Sequence, residues 1–205
     1  VTFVIHALGR SRTAWLAKFL TYGDWTCLHE QVIHLRRIED IAPMFSRPRT
    51  GYAETAASFG WPLILDANPD IVQVVVGRDP DEASAAMAAS YARAGIGCDA
   101  AMMRAIFARG ARVLEKISAL PGVLTLSYED LDTEECCRAV FEHCLPYDWD
   151  RAWWGHMRRQ HVEADLAAMV AYYWAHREGV ETFKALCRRE MFRTVRSRRR
   201  DHAVD

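Results

Sequence analysis

The stretch that decides the fold is Thr2-Phe3-Val4-Ile5-His6-Ala7-Leu8-Gly9-Arg10-Ser11-Arg12-Thr13-Ala14-Trp15-Leu16. Its first six residues are short, β-rich and mostly apolar, as a strand buried in a parallel sheet requires. Leu8 to Thr13 then supplies a glycine, two hydroxyls and two guanidiniums, with no apolar side chain after Leu8. From Ala14 the pattern becomes helical, and Trp15, Leu16, Phe19 and Leu20 fall on one face at spacings of three and four. Strand, polar loop and helix in this order present free backbone N–H groups and a positive dipole end to an anion. Arg10 and Arg12 add forked donors suited to phosphate or sulfate oxygens. The same residues also fit an ordinary strand-to-helix turn carrying surface arginines. The phosphate loop G-x-x-x-x-G-K-[ST] is absent.

The chain around this stretch has 205 residues, enough for one α/β domain with a substantial core. Hydrophobic residues make up 51%, which argues against disorder. A net charge of −1 excludes bulk attraction to nucleic acid or an anionic membrane, so any anion site must be a local cluster. Six cysteines (27, 98, 136, 137, 144 and 187) show no C-x-x-C pair. Cys136, Cys137, His143 and Cys144 match no common zinc spacing and read as thiols on a helix. No metal is expected, and the thiols suggest a reducing, cytoplasmic-type compartment. No apolar run approaches membrane-spanning length and no signal peptide is visible, so only an initiator methionine or a short leader is expected before Val1.

Further along, Trp25 to Leu28 reads as a second strand ending on His29-Glu30, the edge where α/β folds place their chemistry. Residues 31–46 read as a partly amphipathic helix. Residues 51–55 read as a third strand, and 56–68 as a helix that Pro62 starts or interrupts. Ile71 to Val76 has the β-branched continuity of a central parallel strand and runs into Gly77-Arg78-Asp79-Pro80 and an Ala-rich helix. Asp99 caps a long helix that Pro121-Gly122 stops, and Val123 to Ser127 is a fifth strand. The rest is helical, over 132–144 and 162–191, with Trp153-Trp154 of open placement and a basic, flexible tail over 192–205. The expected architecture is α/β: a doubly wound parallel sheet of about five strands within residues 1–130 and an all-helical part over 131–191, in one domain.

Three separated stretches now match one family in order. Arg10-Ser11-x-Thr13-x-Trp15-Leu16 resembles the phosphosulfate loop of P-loop sulfotransferases, roughly [KR]-S-G-T-[TS]-[WL]-L. Val74 to Pro80 is similar to that family's V-[VL]-R-[DN]-P strand end, and Leu126 to Leu131 to its L-x-Y-E-D-L strand end. The resemblance covers residues 1–145 and implies a fold like that of the P-loop nucleoside triphosphate hydrolases. It also implies transfer of a sulfuryl group from 3′-phosphoadenosine 5′-phosphosulfate to a hydroxyl or amine.

By this resemblance Gly9, Arg10, Ser11, Arg12, Thr13 and Ala14 would hold the 5′-phosphosulfate, with Arg10 as the clamp, and Arg78 would hold the 3′-phosphate. The family's loop glycine is Arg12 here. Its partner serine to the 3′-phosphate is Ala86, with Ser84 and Ser90 nearby at other helical angles. A glutamate just past the second strand takes the acceptor's proton in the heparan-type branch, and Glu30 stands at about that place. His29 is the neighbouring alternative and Glu54 a third. Strand alternation puts Thr26, Leu28 and Glu30 on one face, so only one of His29 and Glu30 is expected in the cleft. Tyr128-Glu129-Asp130 reads as a strand end capping the next helix. A small-molecule kinase, with Asp79 as its magnesium carboxylate, and a non-catalytic relative of the same fold are the rival readings. The acceptor is not legible.

Overall fold

The computed structural model of the chain describes residues 2–201, with side chains as far as residue 190. Five strands, β1 (Phe3–Ala7), β2 (Thr26–His29), β3 (Thr50–Glu54), β4 (Val72–Gly77) and β5 (Leu124–Ser127), form one sheet in the order β2-β3-β1-β4-β5. Every neighbouring pair is parallel. β1 is therefore central, hydrogen-bonded to β3 and β4, and all five of its residues are buried.

Alternation along β1 sorts the core into two layers. Phe3, Ile5 and Ala7 pack with α1 (Thr13–Phe19), α6 (Glu134–Cys144) and α7 (Arg151–Met157) on one face of the sheet. On the other face Val4 joins α2 (Ile41–Phe45) and α3 (Trp61–Ala67), while Leu8 and Val75 join α4 (Pro80–Arg93) and α5 (Ala100–Ser118). Phe183 brings α9 (Arg177–Asp201) onto the α2 and α3 layer, following α8 (Leu166–Ala175). Helix starts follow local chemistry: Asp79, Asp99, Thr133, Asp150 and Asp165 each accept first-turn N–H bonds at α4, α5, α6, α7 and α8. Thus Asp79, the carboxylate that a kinase reading needs, serves as a cap. Thr133, rather than Tyr128 to Asp130, caps α6, and Glu129–Asp132 is a 3-10 turn.

Residues 31–46 are not one helix. They form 3-10 turns at Gln31–His34 and Ile38–Asp40 followed by the short α2, because Leu35 and Arg37 are extended. The segment 56–68 divides into a 3-10 turn at Ala57–Gly60 and α3, which Pro62 helps to start. The expected helix over 162–191 begins at Leu166 and breaks at His176. Trp153 and Trp154 lie on α7: the first donates its indole N–H to the Phe19 carbonyl at 2.8 Å and the second is buried. α9 carries helical backbone through the first ten residues of the expected tail, 192–201; residues 202–205 and the tail's side chains lie outside the described residues. Among the described residues no helix is long and apolar enough to cross a membrane.

Register between β1 and β3 pairs Phe3 with Gly51, and a Cβ on Gly51 would fall into the Phe3 ring. The ring has no free volume to retreat into, since Phe3 is wholly buried and stacks on Trp25 at 6.0 Å. Gly51→Ala is expected to lower stability by about 1–3 kcal/mol, the usual range for overpacking, and Phe3→Leu in the same chain to restore part of it. Urea unfolding of the single and double variants checks this; an unchanged midpoint for Gly51→Ala contradicts the packing.

Candidate functional site

The loop after β1 leaves the sheet through two residues in the left-handed region, Arg10 (φ 65°) and Arg12 (φ 60°), on either side of the fully buried Ser11. Arg12 thus takes the backbone shape that a glycine takes most easily, which is how a side chain is tolerated at this position. Arg78, at the end of β4, donates from Nη1 to the Arg10 carbonyl and stacks on the Tyr128 ring, 4.0 Å from its centroid. Arg12 lies over the same ring at 5.4 Å and forms a two-point contact with Asp132, the longer arm at 3.2 Å. Arg10 pairs with Glu163 at 3.3 Å.

These groups open onto a cavity of about 380 Å³ at the carboxyl edge of the sheet. Gly9, Arg10, Arg12, Thr13, Ala14, His29 and Glu30 all line it, together with Thr55 and Tyr128. Its outer wall is the segment from Arg158 through Gln160–Ala164 to Leu166. That wall is held in place from inside the core, where the Trp15 indole N–H donates to the Met157 carbonyl at 3.0 Å.

Two of the expected site residues stand behind the lining. The Ser11 hydroxyl and the Arg78 Nε are buried with no hydrogen-bond partner among the described residues. A polar loop with unsatisfied donors beneath it fits an anionic group, which brings acceptors for them. Ser84 does not join the site: it is buried on α4 and its hydroxyl donates to the Asp81 carbonyl at 2.9 Å.

His29 and Glu30 both line the cavity, so the expectation that alternation admits only one is corrected. Glu30 has left the strand, at φ 52°, and alternation no longer governs where its side chain goes. The His29 Nε2 lies 3.0 Å from the Thr13 hydroxyl and 3.8 Å from the Glu30 Oε1. Burial lowers the His29 pKa to about 4, so the ring is neutral near pH 7. Burial raises the Glu30 pKa to about 7, against the opposing hydrogen bonds from Thr55 and Ala56. Arg10 and Arg12, elsewhere on the cavity lining, are paired with Glu163 and Asp132. Glu54 is wholly buried and outside the cavity lining.

Sequence reasoning missed Asp132, Glu163 and the stacking role of Tyr128. Tyr128 stood inside a recognised motif, and an aromatic ring one strand from Arg78 was the available signal. Asp132 and Glu163 lie 120 and 153 residues from the arginines they meet, and no local pattern marks them. Among the described residues no group of three or more His, Cys, Asp or Glu side chains is arranged to hold a metal ion.

The raised Glu30 pKa has a consequence for stability. Between its ordinary value of 4.5 and about 7 the folded chain binds the Glu30 proton and the unfolded chain releases it. This contribution favours the folded state at low pH and is lost as pH rises through 7. Glu30→Gln is therefore expected to gain stability relative to the parent chain as pH is raised from 4.5 to 7. Denaturant unfolding at three pH values measures the difference, and a pH-independent difference contradicts the assignment.

No protein-family model and no curated protein matches the chain. Solved structures that match it include mouse sulfotransferase SULT7A1 complexed with PAP, at 14% identity and a TM-score of 0.57. That match covers 77% of this chain and 63% of the mouse one, so the chain spans less than two thirds of the mouse protein's length. A sulfotransferase from Alicyclobacillus acidocaldarius matches at 13% identity and a TM-score of 0.53, over 90% of this chain and 95% of that one. The loop, the parallel sheet and the helices around them compose a fold that this chain shares with solved sulfotransferases.

Proposed function

We propose that the chain is a sulfotransferase that moves a sulfuryl group from 3′-phosphoadenosine 5′-phosphosulfate to a hydroxyl or amine of an acceptor. The observation that carries this reading is one cavity shared by two kinds of group. An arginine-flanked loop stands at the end of the central strand, and a carboxyl with a pKa of about 7 stands beside it. PAP bound to a sulfotransferase of the same fold supports the choice of donor. The free thiols of all six cysteines fit a reducing, cytoplasmic-type compartment.

The chemistry assigns each group a task. The acceptor oxygen or nitrogen attacks sulfur, the bond from sulfur to the phosphate oxygen breaks, and adenosine 3′,5′-bisphosphate leaves. Glu30 takes the acceptor's proton, and a pKa near the working pH suits a general base. Neutral His29, beside Thr13, orients groups within the cleft. Arg10 faces the oxygens on which charge develops, and fixed cationic donors of this kind supply much of the catalysis in group transfer. Its pair with Glu163 is partly exposed, so exchanging that carboxylate for a donor oxygen costs little. Arg78 braces the loop from below, and its remaining donors suit the 3′-phosphate.

Transfer of labelled sulfate from the donor to a panel of hydroxyl and amine acceptors tests the proposal. Arg10→Ala is expected to cost about 2–3 kcal/mol of transition-state stabilisation with the fold retained. Glu30→Gln is expected to lower kcat by about 10²–10⁴-fold with donor binding kept, and His29→Gln to change it by less than about tenfold. If the last two variants exchange behaviour, His29 is the base.

A further inference from the structure

The carboxyl of Glu54 has no task in the reaction above, yet it is wholly buried at the end of β3, against the turn that carries Glu30. Its Oε1 accepts from the Gln31 N–H at 2.6 Å and from the Val32 N–H at 3.3 Å, and its Oε2 is also 3.3 Å from the Val32 nitrogen. Glu30 answers in kind: its Oε1 accepts from the N–H of Thr55, the residue after Glu54, at 3.0 Å. Each carboxyl holds the backbone that presents the other. This exchange is what keeps Glu30 in the left-handed turn that takes it off the strand and to the cavity wall.

We propose that Glu54 is the positioning residue of the base: it fixes the turn that aims Glu30 into the cavity, and the two carboxyls retain one proton between them. Because Glu54 stands outside the cavity lining, it acts through Glu30 rather than on an acceptor. The role in tuning a base rests on the sulfotransferase reading, whereas the retention of a proton does not.

The surroundings explain why the pair keeps a proton. His6 on β1 is the register partner of Glu54, and burial lowers its pKa to about 4. His29 at the end of β2 is likewise lowered to about 4. Burial pushes the Cys27 thiol well up and Tyr52 to about 12. All four neighbours are neutral near pH 7, so none offsets a second negative charge. Two buried carboxylates in such a place cannot both ionise freely. Glu54 is the deeper, and burial followed by the Glu30 charge raises its pKa well above the ordinary value. It keeps the proton while Glu30 ionises first.

The test is a titration of the full chain carrying ¹³C-labelled glutamate, followed by carboxyl NMR signals, with steady-state kinetics beside it. Glu30→Gln preserves volume and removes a charge, and is expected to move the Glu54 titration to lower pH by about one unit or more. Glu54→Ala admits water and frees the Gln31 and Val32 N–H groups. It should move the Glu30 titration, and the acid limb of kcat with it, downward by a similar amount. Affinity for adenosine 3′,5′-bisphosphate should stay within about twofold, an outcome that a merely structural lesion would not give. An unmoved Glu54 signal in Glu30→Gln overturns the shared proton, whether or not Glu54→Ala folds. An unmoved acid limb in a folded Glu54→Ala overturns the tuning of the base. Absence of sulfuryl transfer in the parent chain contradicts the proposed function and leaves the titrations to decide the proton.

Discussion

Three non-glycine residues held at positive φ shape the carboxyl edge of the sheet: Arg10, Arg12 and Glu30. Each such residue costs on the order of 1 kcal/mol or more, so each persists only where its surroundings hold it. The surroundings are specific. Arg78 holds the Arg10 carbonyl, Asp132 holds the Arg12 guanidinium, and Glu54 holds the two N–H groups that follow Glu30. The first two restraints shape a loop around a buried hydroxyl. The third carries a carboxyl off the strand and into the cleft that the loop faces.

Electrostatics within this edge divides by depth. At the rim, guanidiniums meet carboxylates in partly exposed pairs that solvent screens and a ligand can exchange. Farther in, burial is the largest influence: it lowers His6 and His29 to about 4, raises Glu30 to about 7 and raises Glu54 well above the ordinary carboxyl value. A site with mobile charge at its mouth and a poised carboxyl at its base suits transfer of an anionic group to a neutral nucleophile.

The five strands and their order in the chain were legible because burial on both faces of a parallel sheet demands short apolar runs. Ile71 to Val76 shows this most plainly, whereas the edge strand β5 is only partly buried and was legible from its apolar run alone. The loop after β1 was legible from residue types at fixed spacing. Its glycine position was not: Arg12 reads as a departure in one dimension and keeps the glycine's backbone shape in three. The segment 31–46 has helical amphipathicity, but Leu35 and Arg37 are extended and a continuous helix does not form. Strand alternation failed at Glu30 because the backbone leaves the strand there, in a turn whose next two N–H groups Glu54 holds from 23 and 22 residues away. Contacts this distant leave no periodic trace, which is why Glu54 reads from sequence as a spare base and in the fold as a buried support.

The most direct measurement of the central claim is calorimetric titration of the chain with adenosine 3′,5′-bisphosphate, AMP and ATP. The account predicts that the bisphosphate binds at least about tenfold more tightly than AMP, a difference of about 1.4 kcal/mol. It predicts that Arg78→Ala removes most of that preference. Equal affinity for the bisphosphate and AMP, or no binding of either, contradicts it.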